Sequence, residues 1–288
     1  MSDLVIAGVD DSARSLDAVV YAAREAAFRG AALRVVHALV RPGRLPEDTV
    51  VPQSVLEGTR RTAETLVSDA VLRARRGTGR RRLGVVLPGE PLTVLERRSR
   101  TADLLVVGSR GLGGIAGLLL GSTATGLAAH AQCPVLVVRE QADPAEPILL
   151  GVDGSPAGAA AVRFALEEAT VQGARVVALH AWTSWNARMP PPQDPAEPYA
   201  YPHGALAAAE ERLLAEALAG TCALYPDVKV EHRVVRGPTR EALIEASRTA
   251  RLTVVGSRGR GGFTGLLLGS VSQAVLHHAH RPVAVVRG

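Results

Sequence analysis

The chain has 288 residues, which is long enough for two domains of ordinary size that each bury a core. Apolar residues make up 47% of it and aromatic residues only 3%, so the cores must be built from Val, Leu, Ala and Ile. The formal net charge is +5, and the two cysteines stand in no disulfide or metal-ligand pattern, which excludes a disulfide-stabilised secreted domain and a zinc module.

Several locations and partners are not expected. The first residues carry no basic segment, so we predict a cytoplasmic protein without a secretory signal. The uncharged stretch 111–129 contains six glycines, which makes it too polar for a membrane helix. The densest basic stretch, Arg73–Arg82, is either a nucleic-acid contact or a solvated helix end; without aromatic residues between the arginines we favour the second and predict no nucleic acid.

Short apolar runs alternate with helical patterns through the first half of the chain. Because the runs are continuous in Val and Leu, we expect strands buried on both faces of a sheet. In chain order the pattern predicts strand Val5–Val9, helix Asp11–Arg29, strand Leu33–His37, helix Thr59–Arg75, strand Gly84–Leu87, helix Pro91–Arg100, strand Leu104–Val107, helix Ser122–Ala131 and strand Val135–Val138.

The second half of the chain repeats the first. LVIAGVDDS at Leu4–Ser12 matches PILLGVDGS at Pro147–Ser155. LLVVGSRGLGGIAGLLLGS at Leu104–Ser122 matches LTVVGSRGRGGFTGLLLGS at Leu252–Ser270. The matches run end to end in the same order, so a whole domain is duplicated.

We therefore predict two tandem α/β domains, copy one at residues 1–142 and copy two at residues 146–288. Each is expected to be doubly wound, with a five-stranded parallel sheet in the order 3-2-1-4-5 flanked by helices. In that order the chain reverses between the first and fourth strands, and ligands bind in the crevice at such a point. Asp10 and the Gly-rich loop both follow those strands.

The loop reads GSRG, nine residues and GS in both copies, and it predicts a phosphate site. Glycines let backbone amides approach a ligand, and the closing GS opens a helix whose free N–H groups favour phosphate. We expect Ser122 and Ser270 to cap these helices, and the hydroxyls of Ser122, Thr123, Ser270 and Ser272 to add donors. The loop is neither a Walker A loop nor a dinucleotide fingerprint. Gly108→Ala or Gly256→Ala should weaken binding of the phosphate-bearing ligand without unfolding the protein.

Other polar residues near the predicted crevice leave alternatives open. Asp10 and Asp153 either contact the ligand or cap the helix that follows. Whichever role the aspartate has, the serine two residues later is expected to have the other. His37 and His180 end the second strand of each copy, and are either near the ligand or structural.

Neither a metal site nor a catalytic centre is expected. The three histidines at 277, 278 and 280 do not recur as a cluster in copy one, so we predict no metal site. We find no carboxylate pair, activated nucleophile or positioned general base. The prediction is therefore a protein that is not an enzyme, with at most slow ATP hydrolysis.

Both halves resemble the universal stress protein family. The resemblance is carried by the G-x-x-G-(x)9-G-S loop in each copy, the VDDS and VDGS starts, the HA after the second strand and the final CPVLVV and RPVAVV strands. It implies that the chain binds ATP with Mg²⁺, and that domains pair through the last strand, either within the chain at Val135–Val138 and Val283–Val286 or in a homodimer.

The resemblance also implies the site residues. In copy one they are Gly8, Asp10 and Ala38 for the adenosine, and Gly108, Ser109, Arg110, Gly111, Leu112, Gly113, Gly114, Gly121, Ser122 and Thr123 for the ribose and phosphates. In copy two they are Gly151, Asp153, Ala181, Gly256, Ser257, Arg258, Gly259, Arg260, Gly261, Gly262, Gly269, Ser270, Val271 and Ser272. Val271 replaces Thr123, so copy two has one hydroxyl fewer.

The favoured hypothesis is an ATP-binding, nucleotide-dependent stress-response regulator with one site per domain. The second hypothesis is an ATP hydrolase or a nucleotidyl-transfer enzyme. The loops of this chain contain no catalytic Lys, which argues against it. A scaffold that binds proteins and no nucleotide is the third. Co-purified ATP separates the first from the third, and sustained ADP release favours the second.

Overall fold

The structure is a computed structural model. It describes residues 3–40, 52–74, 82–111, 120–140, 143–183, 204–260 and 267–288. The chain divides into two compact units, Met1–Glu140 and Gln141–Gly288. These two units correspond to copy one and copy two of the sequence.

Copy one alternates strands and helices as the apolar pattern predicts. Its elements are β1 (Leu4–Gly8), α1 (Ala13–Phe28), β2 (Ala32–Leu39), α2 (Gln53–Ala74), β3 (Arg82–Pro88), α3 (Pro91–Ser99), β4 (Leu104–Gly108), α4 (Ser122–His130) and β5 (Val135–Val138).

The sheet of copy one is parallel and has the order β3-β2-β1-β4-β5. Leu4 of β1 pairs with Ala32 of β2, and Val5 pairs with Leu104 of β4. Right-handed crossovers place α1 and α2 on one face and α3 and α4 on the other, in agreement with the contacts of α1 with α2 and of α3 with α4. The predicted fold class and strand order are confirmed.

Copy two repeats this arrangement with the sheet order β10-β9-β6-β7-β8, also parallel. A short 3₁₀ turn, Pro156–Gly158, precedes its first helix. The elements are β6 (Ile148–Gly151), α5 (Ala159–Gln172), β7 (Val176–Trp182), α6 (Ala205–Cys222), β8 (Val230–Arg236), α7 (Thr239–Ala246), β9 (Leu252–Gly256), α8 (Ser270–His278) and β10 (Val283–Val286).

The cores lie on the central strands. Val5, Ile6 and Ala7 of β1 are fully buried, as are Ile148 and Leu150 of β6. The expectation of burial on both faces is wrong for the third strand of each copy, since β3 and β8 are sheet edges and are largely exposed or half-buried. Within the described residues, no helix is both long and apolar enough to cross a membrane.

Helix α2 begins at Gln53, six residues before the predicted start at Thr59. The sequence pattern missed these residues because 53–62 are all exposed and therefore carry no apolar period. Ion pairs between residues four positions apart, such as Arg60 with Glu64 (2.9 Å), stabilise these exposed turns, which do not pack against a core. Most other helix boundaries agree with the prediction to within two residues.

Candidate functional site

The candidate site of each copy lies where its first and fourth strands end. In copy one β1 ends at Gly8 and its neighbour β4 ends at Gly108, so Asp10 and the Gly-rich loop emerge side by side. In copy two β6 and β9 bring Asp153 and the second loop together in the same way. The strand order reverses at this pair of strands, which is where open α/β sheets leave a crevice.

Serines, rather than the neighbouring aspartates, cap the helical segments that follow the first strand of each copy. Ser12 Oγ accepts the amide N–H of Ser15 (3.2 Å), and Ser155 Oγ accepts that of Gly158 (3.2 Å). The carboxylate of Asp10 accepts the N–H of Ser12 (3.0 Å) and also its hydroxyl. The sequence left open whether the aspartate or the serine caps the helical segment, and in both copies the serine does so.

Each aspartate contacts the second glycine of its GSRG sequence. A Cβ on Gly111 would overlap Oδ2 of Asp10, and a Cβ on Gly259 would overlap Oδ2 of Asp153. In copy two the amide N–H of Arg260 also donates to Oδ2 of Asp153 (2.8 Å). The aspartates therefore hold the start of the Gly-rich loop against the strand end, and they require glycine there.

Backbone hydrogen bonds close the base of each loop. In copy one the N–H of Gly121 donates to the carbonyl of Ser109 (2.9 Å), and the N–H of Ser109 donates to that of Val138 (3.0 Å). In copy two Gly269 donates to Ser257 in the same way (2.7 Å). In each loop, eleven residues separate the two hydrogen-bonded residues. The first and last residues of the loop therefore lie close together, beside the strand end.

The helices that follow the loops are capped by the residue before the expected one. The N-caps are Gly121 and Gly269, neither of which provides a side-chain cap, and the carbonyl of Gly121 accepts the N–H of Thr125 (3.1 Å). The prediction that Ser122 and Ser270 are the caps is therefore wrong by one residue. Each serine is the first helical residue and is exposed, so the helix N-terminus faces outward with its amides uncapped by a side chain.

Gly121 and Gly269 have space around them. A Cβ on Gly121 would meet its nearest described neighbour, Arg110 Cα, at 3.7 Å, and one on Gly269 would meet the Ser257 carbonyl at 3.4 Å. Their φ angles, −77° and −72°, are open to any L-residue. Neither packing against described residues nor backbone conformation explains why both positions are glycine.

Ser272 is engaged within its own copy. It is 4% exposed, and its hydroxyl donates to the carbonyl of Gly256 at 2.6 Å. Since a hydroxyl has one hydrogen, the expectation that Ser272 donates to a phosphate is corrected. Thr123 and Val271 occupy equivalent half-buried positions in the first turns of α4 and α8.

The glycines that end the first strands are explained by packing. A Cβ on Gly8 would lie 2.8 Å from Leu95 of α3, and one on Gly151 would lie 3.3 Å from Leu243 of α7. Ala181, expected to present its backbone to adenosine, accepts the hydroxyl of Thr239 at its carbonyl (3.2 Å). Ala38 is half-buried at the corresponding place in β2.

The two histidines differ between the copies. Nδ1 of His37 lies 2.9 Å from the carbonyl of Val9, and Nδ1 of His180 lies 2.7 Å from the carbonyl of Val152. His180 is buried and its Nε2 contacts Glu210, whereas His37 is half-buried. Both rings thus tie the ends of the first two strands together, which favours the structural interpretation.

Three arginines of copy one lie close together, and sequence reasoning found only Arg110. The backbone of Arg14 lies 2.8 Å from the Cβ position of Gly108, and Arg139 follows Val138, the register partner of Gly108. Burial, and then the charges of Arg110 and Arg14, lower the pKa of Arg139. Copy two has Ala157 where copy one has Arg14, an alignment that could have singled out this position.

Part of the predicted site falls outside the described residues. These positions are Leu112, Gly113, Gly114, Gly261 and Gly262. The described cavities lie elsewhere, one near Pro147 and Ala250 of copy two and one between α2 and β3 of copy one. The strand ends, rather than these cavities, combine the loop, the aspartate and an open helix N-terminus.

Known proteins resemble the chain over nearly its whole length. The model of the "Universal stress protein family" matches residues 1–139 and 144–287. A universal stress protein of Mycolicibacterium smegmatis is 39% identical, covering 98% of this chain and 96% of the relative. One of Mycobacterium tuberculosis strain H37Rv is 37% identical with the same coverage. The crystal structure of a universal stress protein from Archaeoglobus fulgidus shares the fold, with a TM-score of 0.72 at 17% identity over 100% of this chain and 99% of that one.

Proposed function

The chain belongs to the universal stress protein family, as a tandem member, and we propose that each of its copies binds one ATP and so regulates a stress response. The protein acts through nucleotide-dependent conformation or partner binding and not as an enzyme. The site residues of the proposal are those that the sequence resemblance implies, with Ser272 in a structural role.

The observation that carries the proposal is that the described surroundings of Gly121 and Gly269 would admit a methyl group at ordinary contact distances. Both are N-cap residues without a side-chain cap. Since the described residues and the backbone angles do not require glycine there, a ligand that approaches the backbone closely is the reason we propose for it. Phosphate is the group that uncapped helix amides favour.

Positive charge supports a polyphosphate in copy one. Arg14, Arg110 and Arg139 repel one another there, as the lowered pKa of Arg139 indicates. Three arginines at the strand end concentrate positive charge there, which would favour the phosphates of ATP.

The residues present also indicate how Mg²⁺ would be held. Both carboxylate oxygens of Asp153 accept backbone N–H groups, from Ser155 (2.9 Å) and Arg260 (2.8 Å). A carboxylate engaged in this way is a poor metal ligand. Mg²⁺ would therefore be coordinated through phosphate oxygens and water, as it commonly is.

Replacing the two open glycines tests the proposal. We expect Gly121→Ala and Gly269→Ala each to lower the ATP affinity of one site at least about tenfold, because the methyl group occupies the space of the phosphates. Isothermal titration with ATP·Mg²⁺ measures the affinity of both sites. The double variant should bind neither of the two ATP molecules tightly. Thermal unfolding should be nearly unchanged, since the new methyl groups make ordinary contacts.

Gly220→Ala is the matched control. Gly220 lies near the end of α6 with no described atom near its Cβ position, and its replacement should leave ATP affinity unchanged. A folded double variant that binds ATP as tightly as the wild type would contradict the proposal, and so would a wild-type protein that does not bind ATP.

A further inference from the structure

Copy two contains a buried histidine–carboxylate pair at the wall of its candidate site. His180 in β7 is 4% exposed and Glu210 in α6 is fully buried. Nε2 of the histidine lies 2.6 Å from Oε2 of the glutamate, and Nδ1 lies 2.7 Å from the carbonyl of Val152. The imidazole therefore bridges three elements, α6, β7 and the end of β6.

The partners of the ring determine its protons. A carbonyl only accepts, so Nδ1 must carry a hydrogen and donate it to Val152. The 2.6 Å contact of Nε2 with Oε2 of Glu210 is a second hydrogen bond, with one hydrogen between the two atoms. The ring is thereby held on both sides, by the end of β6 and by α6.

This pair lies next to the residues proposed to read adenosine. His180 directly precedes Ala181, and Val152 directly precedes Asp153. One turn further along α6, Leu213 lies 2.7 Å from the Cβ position of Gly154, the residue after Asp153. Helix α6 thus fixes the ends of β6 and β7 relative to one another.

Copy one lacks this clamp among its described residues. His37 keeps only the bond of Nδ1 with Val9 (2.9 Å) and is half-buried. The residues that α2 buries, Ala63, Val67, Ala70 and Ala74, include no carboxylate. Residues 53–62 of α2 are exposed, so they do not pack on the strand ends as α6 does.

We infer that Glu210, acting through His180, is a positioning residue that makes copy two the tighter of the two nucleotide sites. The inference rests on the proposed function and specifies how its two sites differ. A site whose backbone is held in the binding conformation binds more tightly because less ordering accompanies binding. In the part of the chain that the structure describes, copy two has this support and copy one does not.

The test isolates site two in the full chain with Gly121→Ala and adds Glu210→Leu. Leucine fills the volume of Glu210 but leaves Nε2 of the buried His180 without that partner, so the clamp is lost and the melting temperature should fall, with the protein still folded at the titration temperature. We expect ATP affinity at site two to fall about tenfold in titration calorimetry. Glu216→Leu, the same change at an exposed position of α6, is the control and should have no effect.

Glu210→Gln is the conservative variant, since its amide can donate to a neutral Nε2 and keep the clamp. It should restore site-two affinity to within about twofold of the wild type. A purely space-filling role of Glu210 would not predict this rescue.

The outcomes separate the two claims. If wild-type protein binds no ATP, the proposed function fails. If it binds ATP but a folded Glu210→Leu variant keeps full affinity at site two, or if Gly269→Ala rather than Gly121→Ala retains the tighter site, the inference is overturned while the proposed function stands.

Discussion

At the scale of single residues, the glycines of the two loops are glycine for different reasons. Gly111 and Gly259 make room for an aspartate carboxylate, and Gly8 makes room for Leu95. Gly121 and Gly269 have no such reason among the described residues. A repeated G-x-x-G-(x)9-G-S pattern therefore combines positions set by the fold with positions that point to a ligand.

The two cysteines allow a prediction about pH. Burial, and then the charge of Asp103, raise the pKa of Cys133 from 9.0 to about 12, and burial raises that of the half-buried Cys222. A raised pKa lowers the thiolate fraction at pH 8, and the thiolate is the reactive form. We expect Cys133 in the native protein not to react with a disulfide reagent at pH 8, while Cys222 reacts slowly.

Single variants assign the signals. Cys222→Ala should leave no reactive thiol until denaturant is added, whereas Cys133→Ala should keep the slow phase. Because the folded pKa of Cys133 is the higher one, its contribution to the free energy of unfolding is complete below pH 9 and is lost as pH rises toward 12. Rapid labelling of Cys133 in native protein at pH 8 would contradict this description of its environment.

At the scale of elements, the two copies place their first helices differently against the fourth strand. A Cβ on Gly108 would lie 2.8 Å from the backbone of Arg14 in α1. In copy two the 3₁₀ turn brings Gly158 opposite Gly256, and the nearest atom to the Cβ position is the carbonyl of Arg258 at 3.1 Å. The end of the fourth strand therefore lies closer to the first helix in copy one than in copy two.

This difference predicts that the two loop variants, neither of which is expected to unfold the protein, differ in stability. Gly108→Ala should lower the free energy of unfolding by about 1–3 kcal/mol, because helix backbone must move to admit the methyl group. Gly256→Ala should lower it by less than about 1 kcal/mol. Urea unfolding of both variants checks the order, and equal losses would contradict the contact described for Gly108.

The second helices differ as well, and this difference affects the site. Helix α6 buries Glu210, Leu213 and Leu214 against its sheet, whereas the first ten residues of α2 are exposed. Equivalent elements of a duplicated domain thus support their strand ends to different degrees. Site asymmetry follows from which helix residues are buried, and the Gly-rich loops alone do not reveal it.

At the scale of the whole molecule, each unit has a complete five-stranded sheet whose last strand lies at one end of the order. Both last strands, VLVV in β5 and VAVV in β10, are entirely apolar. An uncovered apolar edge strand pairs readily with another chain. Pairing of domains through these strands stays a prediction from the family resemblance.

Separating the units tests that prediction. Residues 1–140 and 143–288, expressed alone, should each fold and then self-associate through the exposed last strand. Light scattering after size exclusion should give dimers. Monomeric wild-type fragments would contradict the prediction, and unfolded fragments would show that the two cores depend on each other.

The sequence by itself determined the tandem organisation and the alternation of strands and helices, and it predicted a candidate site after the first and fourth strands. These follow from local signals: apolar runs of strand length, helical periods, and a duplicated motif after the first and fourth strands. Even a short apolar strand such as Val135–Val138 was predicted with its observed boundaries, because turn residues flank it.

Only the tertiary structure decided what depends on contacts between residues far apart in the chain. The early start of α2 is invisible in an apolar pattern because its first turns are exposed. The pairing of His180 with Glu210, the approach of Arg14 to Gly108 and the engagement of Ser272 join residues 16 to 94 positions apart. Sequence patterns record which residues are buried, whereas packing decides which of them meet.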